Sequence, residues 1–297
     1  MSFTQRSART WKLKSRSLAL GQHTLVMGVL NVTPDSFSDG GQYFDKARAV
    51  GHALQMLEDG ASIIDIGGES THPGTPTELS PEEEMRRAIP VIEAVLSANT
   101  DAILSIDTYH ASTAEAAVAA GAEIVNDVSG FLWDEAMAET CLRLECGIIL
   151  MHTRGRPSEW RSLPPLENDQ VLSLVHEELQ DRLRAAAEAG LDIERIVLDP
   201  GFGFGKSFEA NYPLLAHLDV LQQLGRPLVA GVSRKSFLGR TLASIQNGVD
   251  APPELRGNAT LAASTASILA GADIVRVHNV RPAVEAARIA DAILGAV

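Results

Sequence analysis

The chain reads as an α/β protein, a (β/α)8 barrel of the TIM type with an N-terminal β-hairpin covering its bottom. Three observations predict this. Eight apolar, strand-like runs recur along the sequence, with helical stretches between them. The runs are continuous Val/Ile/Leu segments rather than alternating ones, as suits parallel strands covered on both faces. Each run stops at a polar or ionisable residue: Asn31, Asp65, Asp107, Asn126, His152, Asp199, Ser233 with Lys235, and Arg276 with His278. In such a barrel the C-terminal strand ends open onto one face, which carries the active site. Strand–helix alternation implies right-handed βαβ units, and an open doubly wound sheet is the structural alternative. Eight units without a Pro/Gly/Ser-rich linker favour closure.

The elements follow in order. Residues 10–24 form a hairpin: TWKLK, a turn around Arg16-Ser17, then LALG. Strand one is 25–30, and the helix 45–59 ends at Gly60. Strand two is 62–67; its helix starts at Ser80-Pro81-Glu82-Glu83, with Ser80 as N-cap, Pro81 in the first helical position and acids in the first turn. Strand three (103–107) precedes an Ala-rich helix at 111–120, and strand four (123–128) a helix at 134–145. Strand five (147–152) leads through a long polar loop to a helix at 169–189. Strand six (195–199) is followed by a helix near 207–224, and strand seven (227–233) by helices at 235–246 and 255–270. Strand eight (273–278) and a helix at 281–295 close the series. One domain is expected over 1–297, with 1–24 as the hairpin segment.

Composition narrows the function classes. The formal net charge of −13 argues against nucleic acid and anionic membrane as partners. No apolar run is long enough to span a bilayer, and the basic, polar start lacks the apolar stretch of a secretory signal. Two cysteines, Cys141 and Cys146, in a chain of 297 residues point to a reducing, cytoplasmic setting, and they read as small buried apolar residues.

Three clusters carry chemistry. Loop one, NVTPDSFSDGG, holds Asn31, Asp35 and Asp39, oxygen donors that suit a hard cation such as Mg²⁺; its composition also suits a polar turn. Loop two, GGESTHPGT, suits a lid or a plain turn. Asp107, Asn126 and Asp199 bring two carboxylates and an amide to one cavity. They fit a ligand edge rich in N–H donors, such as that of a pterin, purine or guanidine. The cations come late. Lys235 and Ser236 open a helix after strand seven, and Arg276 and His278 share a face of strand eight, together a phosphate or diphosphate pocket. DPGFGFGKS is not a P-loop, because Pro200 stands where the first glycine is required. Lone His110 and His152 read as structural.

These residues resemble a known family. MGVLNVTPDSFSDGG, DIGGESTHPG, SIDT, NDVSG, LDPGFGFGK, SRKSFLG, RGNATLAAS and RVHNV are similar to the motifs of dihydropteroate synthases, in order, from residue 25 to 280. The resemblance implies a homodimeric enzyme of folate biosynthesis that joins 4-aminobenzoate to 7,8-dihydropterin-6-ylmethyl diphosphate. It implies pterin contacts from Asp107, Asn126, Met151, Asp199, Phe204, Gly231 and Lys235. Asn31, His72, Arg276 and His278 match the diphosphate positions, with Asn31 also binding Mg²⁺. Phe37, Thr71, Pro73, Lys235 and Ser236 match the aminobenzoate positions. Asp39, Asp107 and Lys235 match the catalytic ones. The chain departs from the family at His72, where members carry arginine, and in MHTRGRPSEW after strand five. Two alternatives stay open: a non-catalytic pterin-binding paralogue, and a pterin-dependent corrinoid methyltransferase. The latter needs neither the late cations nor loop one.

Overall fold

A computed structural model of the chain describes residue 3 and residues 5–32, 41–68, 79–160, 162–164 and 166–296, with the backbone alone at 41–45. It opens on an antiparallel hairpin of β1 (Arg9–Lys12) and β2 (Ser17–Leu20), in which Arg9 faces Leu20 and Lys12 faces Ser17. The turn is at 13–16, ahead of the expected Arg16-Ser17, and Leu13 N–H donates to Arg16 O at 2.8 Å. A tertiary partner sets this register. Glu123, just before a barrel strand, accepts from Ser15 N–H at 2.7 Å and from the Ser15 hydroxyl.

Eight parallel strands follow: β3 (Leu25–Asn31), β4 (Ile63–Gly67), β5 (Leu104–Asp107), β6 (Ile124–Asp127), β7 (Gly147–Met151), β8 (Ile196–Asp199), β9 (Val229–Ala230) and β10 (Ile274–Val277). The sheet order is β8-β7-β6-β5-β4-β3-β10-β9. A bridge between Leu198 and Leu228 joins its two ends, with Leu198 N–H donating to Pro227 O at 2.9 Å. The ring is therefore a (β/α)8 barrel, as expected. Strand β9 is shorter than its apolar run. Pro227 has no N–H for the ladder. Beyond Ala230 the chain leaves the sheet, and Lys235 N–H turns back to Val232 O at 3.3 Å.

The helices are α1 (Gly41–Glu58), α2 (Pro81–Ala98), α3 (Ala111–Ala119), α4 (Met137–Leu144), α5 (Val171–Glu188), α6 (Asn211–Ala216), α7 (Ser236–Leu242), α8 (Gly257–Leu269) and α9 (Val280–Leu294). Helix α2 starts as its sequence requires: Ser80 Oγ accepts from Glu83 N–H at 3.3 Å and Pro81 follows. The stretch 207–224 is not one helix. It divides into α6 and a 3-10 segment at 218–224, separated at His217, whose φ of −123° and ψ of 32° are not helical. Asn211 holds the preceding residues as a loop, accepting from Gly203 N–H and donating to Ser207 O, both at 2.7 Å. Among the described residues no helix is long and apolar enough to cross a membrane.

Two apolar clusters hold the barrel. The larger lies between the sheet and its helices and contains the free, buried Cys141 and Cys146. The smaller fills the bottom of the barrel. Met27, Ile63, Ile124, Ile149, Val197, Val229 and Ile274 point inward there and meet Trp11, Leu13 and Leu20 of the hairpin. Trp11 is fully buried, and its indole N–H donates to Arg195 O at 2.8 Å. The hairpin is thus a plug, as the sequence predicts.

Candidate active site

Side chains two residues apart on a strand share a face. One step above the apolar bottom layer, the inward positions are therefore Val29, Asp65, Asn126, Met151, Asp199, Gly231 and Arg276; Asp107 comes a step above Ser105. The alternation that fills the bottom with Ile and Val delivers charge and amide groups to the mouth. His152, next after Met151, falls on the other face. It is fully buried, its Nε2 is 3.1 Å from Glu178 Oε2 of α5, and burial, then Lys206, pushes it down to about 3. It sits behind the sheet as a neutral ring.

Arg276 organises the mouth. Its Nε donates to Asp65 Oδ2 at 2.6 Å and its Nη2 to Asp107 Oδ2 at 2.5 Å. Asn126 Nδ2 donates to the same Asp65 oxygen at 3.0 Å. Asp199 Oδ1 accepts from Gly201 N–H at 2.7 Å. Only glycine fits at 201, where φ is +66° and a Cβ would overlap His152 O at 1.8 Å. Lys235 Nζ stands 4.0 Å from the centroid of the Phe204 ring. Asp107, Asn126, Met151, Asp199, Phe204, Gly231, Lys235 and Arg276 all line one narrow cleft that opens to solvent. Val128, Met151 and Phe204 give it an apolar wall and cluster with Tyr109, and Trp133 and Trp160 pack against that cluster.

The electrostatics follow from three carboxylates and two cations that are buried or partly buried together. Burial pushes the Asp107 carboxyl up to about 7; Arg276 opposes this, and Asp65 and Glu84 add to it. Burial raises Asp199 as well, against the Gly201 N–H that favours its charge. Burial pulls Lys235 down to about 8, with Arg276 acting the same way and Asp199 and Asp107 opposing. Arg276 is held charged: burial works against its cation, but Asp65 and Asp107 outweigh it. Such a cleft accepts a planar, donor-rich edge against its carboxylates and presents cations to an anion beside it.

The remaining expected residues are dispersed. Asn31 ends β3 half-buried, and its side chain has no hydrogen bond to the described residues. His278 is beside Ser233, with Nδ1 2.9 Å from Oγ. Arg276, expected toward a diphosphate, here reaches the carboxylates. Ser236 is exposed at the start of α7. Asp35, Phe37, Asp39, Thr71, His72 and Pro73 lie outside the described residues. Among the described residues no group of three or more His, Cys, Asp or Glu is placed to hold a metal.

Sequence reasoning missed three supports. Asp65 was visible as a strand end but had no role; its role is to hold Arg276 and Asn126. Lys206 is buried, and its Nζ donates to Gly201 O at 2.7 Å, bracing the loop that carries Phe204. Burial holds its pKa well below the usual lysine range, against the pull of Asp199. Glu84, buried at the start of α2, accepts from Thr108 Oγ1 at 2.8 Å, just beyond Asp107, and lies 3.0 Å from His110 Nδ1. An acid in a first helical turn reads as a cap, so nothing in its pattern separates Glu84 from Glu82 and Glu83.

The family of pterin binding enzymes matches residues 27–278. The chain belongs to this family. A dihydropteroate synthase of Bacillus subtilis (strain 168) is 43% identical to this pterin-binding enzyme over 281 residues, 95% of this chain and 92% of that one. Among solved structures, Xanthomonas albilineans dihydropteroate synthase with 4-aminobenzoic acid has a TM-score of 0.85 at 40% identity, covering 97% of this chain and 98% of that one. The same species' enzyme in complex with 7,8-dihydropteroate has a TM-score of 0.81 at 39% identity, covering 96% and 98%.

Proposed function

We infer that this chain is a dihydropteroate synthase, a transferase of folate biosynthesis. It joins 4-aminobenzoate to 7,8-dihydropterin-6-ylmethyl diphosphate and gives dihydropteroate and diphosphate. The observation that carries the reading is the convergence of Asp107, Asn126 and Asp199 on a cleft that also holds Lys235 and Arg276. The full-length likeness to relatives solved with 4-aminobenzoic acid and with 7,8-dihydropteroate supports it.

In this reading the amidine-like edge of the pterin enters against Asp199 and Asn126, with Phe204 and Met151 on its faces. Asp107 and Asp39 stabilise positive charge that develops on the methylene as its C–O bond to diphosphate breaks. The electron pair leaves with the diphosphate, toward Asn31, His72, Arg276 and His278. The amine of 4-aminobenzoate, held by Phe37, Thr71, Pro73, Lys235 and Ser236, forms the new N–C bond and sheds a proton to water. Orientation matters more than activation of the amine. Arg276 changes partners during the cycle: an incoming diphosphate competes with Asp107 for its guanidinium.

Mg²⁺ is the proposed metal. The Asn31 amide oxygen, without a partner among the described residues, suits a hard cation that would keep water and substrate phosphate oxygens as its other ligands. When bound, the ion would take up charge on the leaving diphosphate. A homodimer, a single domain over the whole chain and a cytoplasmic location are part of the proposal, as is the absence of nucleic-acid and membrane partners. Free, buried Cys141 and Cys146 agree with a reducing compartment.

The test is diphosphate release from purified protein given dihydropterin diphosphate, with and without 4-aminobenzoate and Mg²⁺. Release that depends on aminobenzoate, with dihydropteroate formed, is expected. Pterin binding without release sinks the synthase reading in favour of a non-catalytic pterin binder.

A further inference from the structure

The opposite end of the barrel holds a second cavity, of about 780 Å³, between the hairpin and the strand starts. It is lined by Arg9 of β1, Gln22, His23, Leu25, Glu194 and Arg226, among others. The other cations at this end have partners. Arg6 pairs with Asp291 at 2.7 Å, Lys12 with Asp192 at 3.0 Å and Glu194 at 2.5 Å, and Arg16 with Glu123 at 3.2 Å. Lys14 donates to Leu144 O at 2.5 Å, and Arg195 to Leu13 O at 2.7 Å.

Arg9 and Arg226 differ. Neither pairs with a carboxylate among the described residues. Arg226 is only 9% exposed; its Nε donates to Ile196 O at 3.0 Å, and its Nη2 is buried with no partner. Burial first, and then the charge of Arg9, pull its pKa down, while the carboxylates of Glu194 and Asp192 oppose this. Two guanidinium groups near enough to repel, one of them buried and incompletely bonded, are an expensive arrangement in a folded protein. It is stranger in a chain of net charge −13, which has acids to spare.

We propose that Arg9 and Arg226 form a second ligand site, at the bottom of the barrel, for a small phosphorylated molecule. A phosphate oxygen pair matches the fork of each guanidinium. The cavity is of the size that small-ligand sites have, and Leu25 with Leu20 supplies apolar wall for the rest of the molecule. Arg226 lies immediately before Pro227 and β9, and Arg9 is on the plug. An anion held by both ties the hairpin to the strand at which the ring closes. Occupancy therefore stabilises the barrel and leaves the mouth free.

Thermal unfolding of the full chain at low salt tests this, with inorganic phosphate, inorganic diphosphate and ADP as probes. At about a hundredfold excess over Kd, a phosphorylated probe raises the midpoint by about 5 °C. Arg9→Gln and Arg226→Met each weaken binding of that probe about tenfold or more by calorimetry, which is the loss of one charged contact. Neither alters turnover, and unliganded Arg226→Met is as stable as the parent. A larger shift with ADP than with diphosphate identifies an organic phosphate; the reverse order identifies the free anion. The proposal is overturned if no probe shifts the midpoint, or if neither variant reduces the shift; the part of a shift that survives in both variants is binding at the mouth. It is equally overturned if Arg226→Met lowers the unliganded midpoint while anion binding is retained, which would make Arg226 a purely structural bond to Ile196.

Discussion

The two ends of the barrel interior are built by the same strands and differ completely in chemistry. At the bottom, Ile63, Ile124, Val197 and Ile274 meet the hairpin in a dry layer sealed by Trp11. Two residues further along the same strands, Asp65, Asn126, Asp199 and Arg276 form the polar network of the mouth. The residues between them, Ile64, Val125, Leu198 and Val275, face the helices. A single polar residue between apolar neighbours thus reads as part of a continuous apolar run, although it belongs to the other face. Stability and chemistry are thus divided along the strand, with the pleat as the ruler. The bottom tolerates no gap, whereas the top accepts uncompensated polarity in exchange for ligand binding.

Substitutions at either end sharpen this division. The largest effect is expected at the mouth: Lys235→Ala lowers kcat/KM for the pterin substrate about a thousandfold, as loss of a buried charged contact to a reacting group does. Its unfolding midpoint in urea stays within error of the parent. Parent-like kinetics would remove Lys235 from the site. At the bottom the pattern reverses. Trp11→Ala destabilises the chain by about 4 kcal/mol through the cavity it leaves, measured by urea unfolding. Turnover per folded molecule is retained in the cold, and a selective loss of turnover would show that the plug reaches the mouth.

Gly147→Ala is a smaller probe of the same layer. A Cβ there stands 2.7 Å from Leu13 Cδ2, 3.2 Å from Ile124 Cγ1 and 3.4 Å from Trp11 Cε2, so the Leu13 side chain must move within a crowded layer. The expected loss is about 2 kcal/mol; an unchanged midpoint would mean that the hairpin adjusts freely. The mildest test is pH. Asp107, pushed up to about 7, binds the pterin edge as a carboxylate, and Lys235, pulled down to about 8, acts as a cation. The kcat/KM for the pterin substrate therefore rises with pH through the first value and falls through the second, about tenfold per unit outside them. A flat profile between pH 6 and 9 would be incompatible with either group titrating in the free enzyme.

Much of the mouth was legible beforehand. Asp107, Asn126, Asp199 and Arg276 stand at the ends of apolar runs, and parity alone sends them inward. By the same parity His152 lies outside the cleft and Met151 inside it. Other features had no local signature. The turn of the hairpin follows Glu123, a residue far along the chain. Strand β9 is cut short by Pro227 and by the departure toward Lys235. The 207–224 helix starts late because Asn211 bonds to Gly203 N–H and to Ser207 O, and it divides at His217, whose backbone is not helical.

By itself the sequence determined the eightfold βα repeat, the inward step of two and the family motifs at the strand ends, because these depend on spacing along one chain direction. Tertiary structure alone decided which groups meet. Arg276 and Asp65 are 211 residues apart, Arg226 was an unremarked basic residue before Pro227, and Trp11 belonged to a short hairpin. Closing the ring brings such residues together, and a pairing across a ring has no period for the sequence to carry.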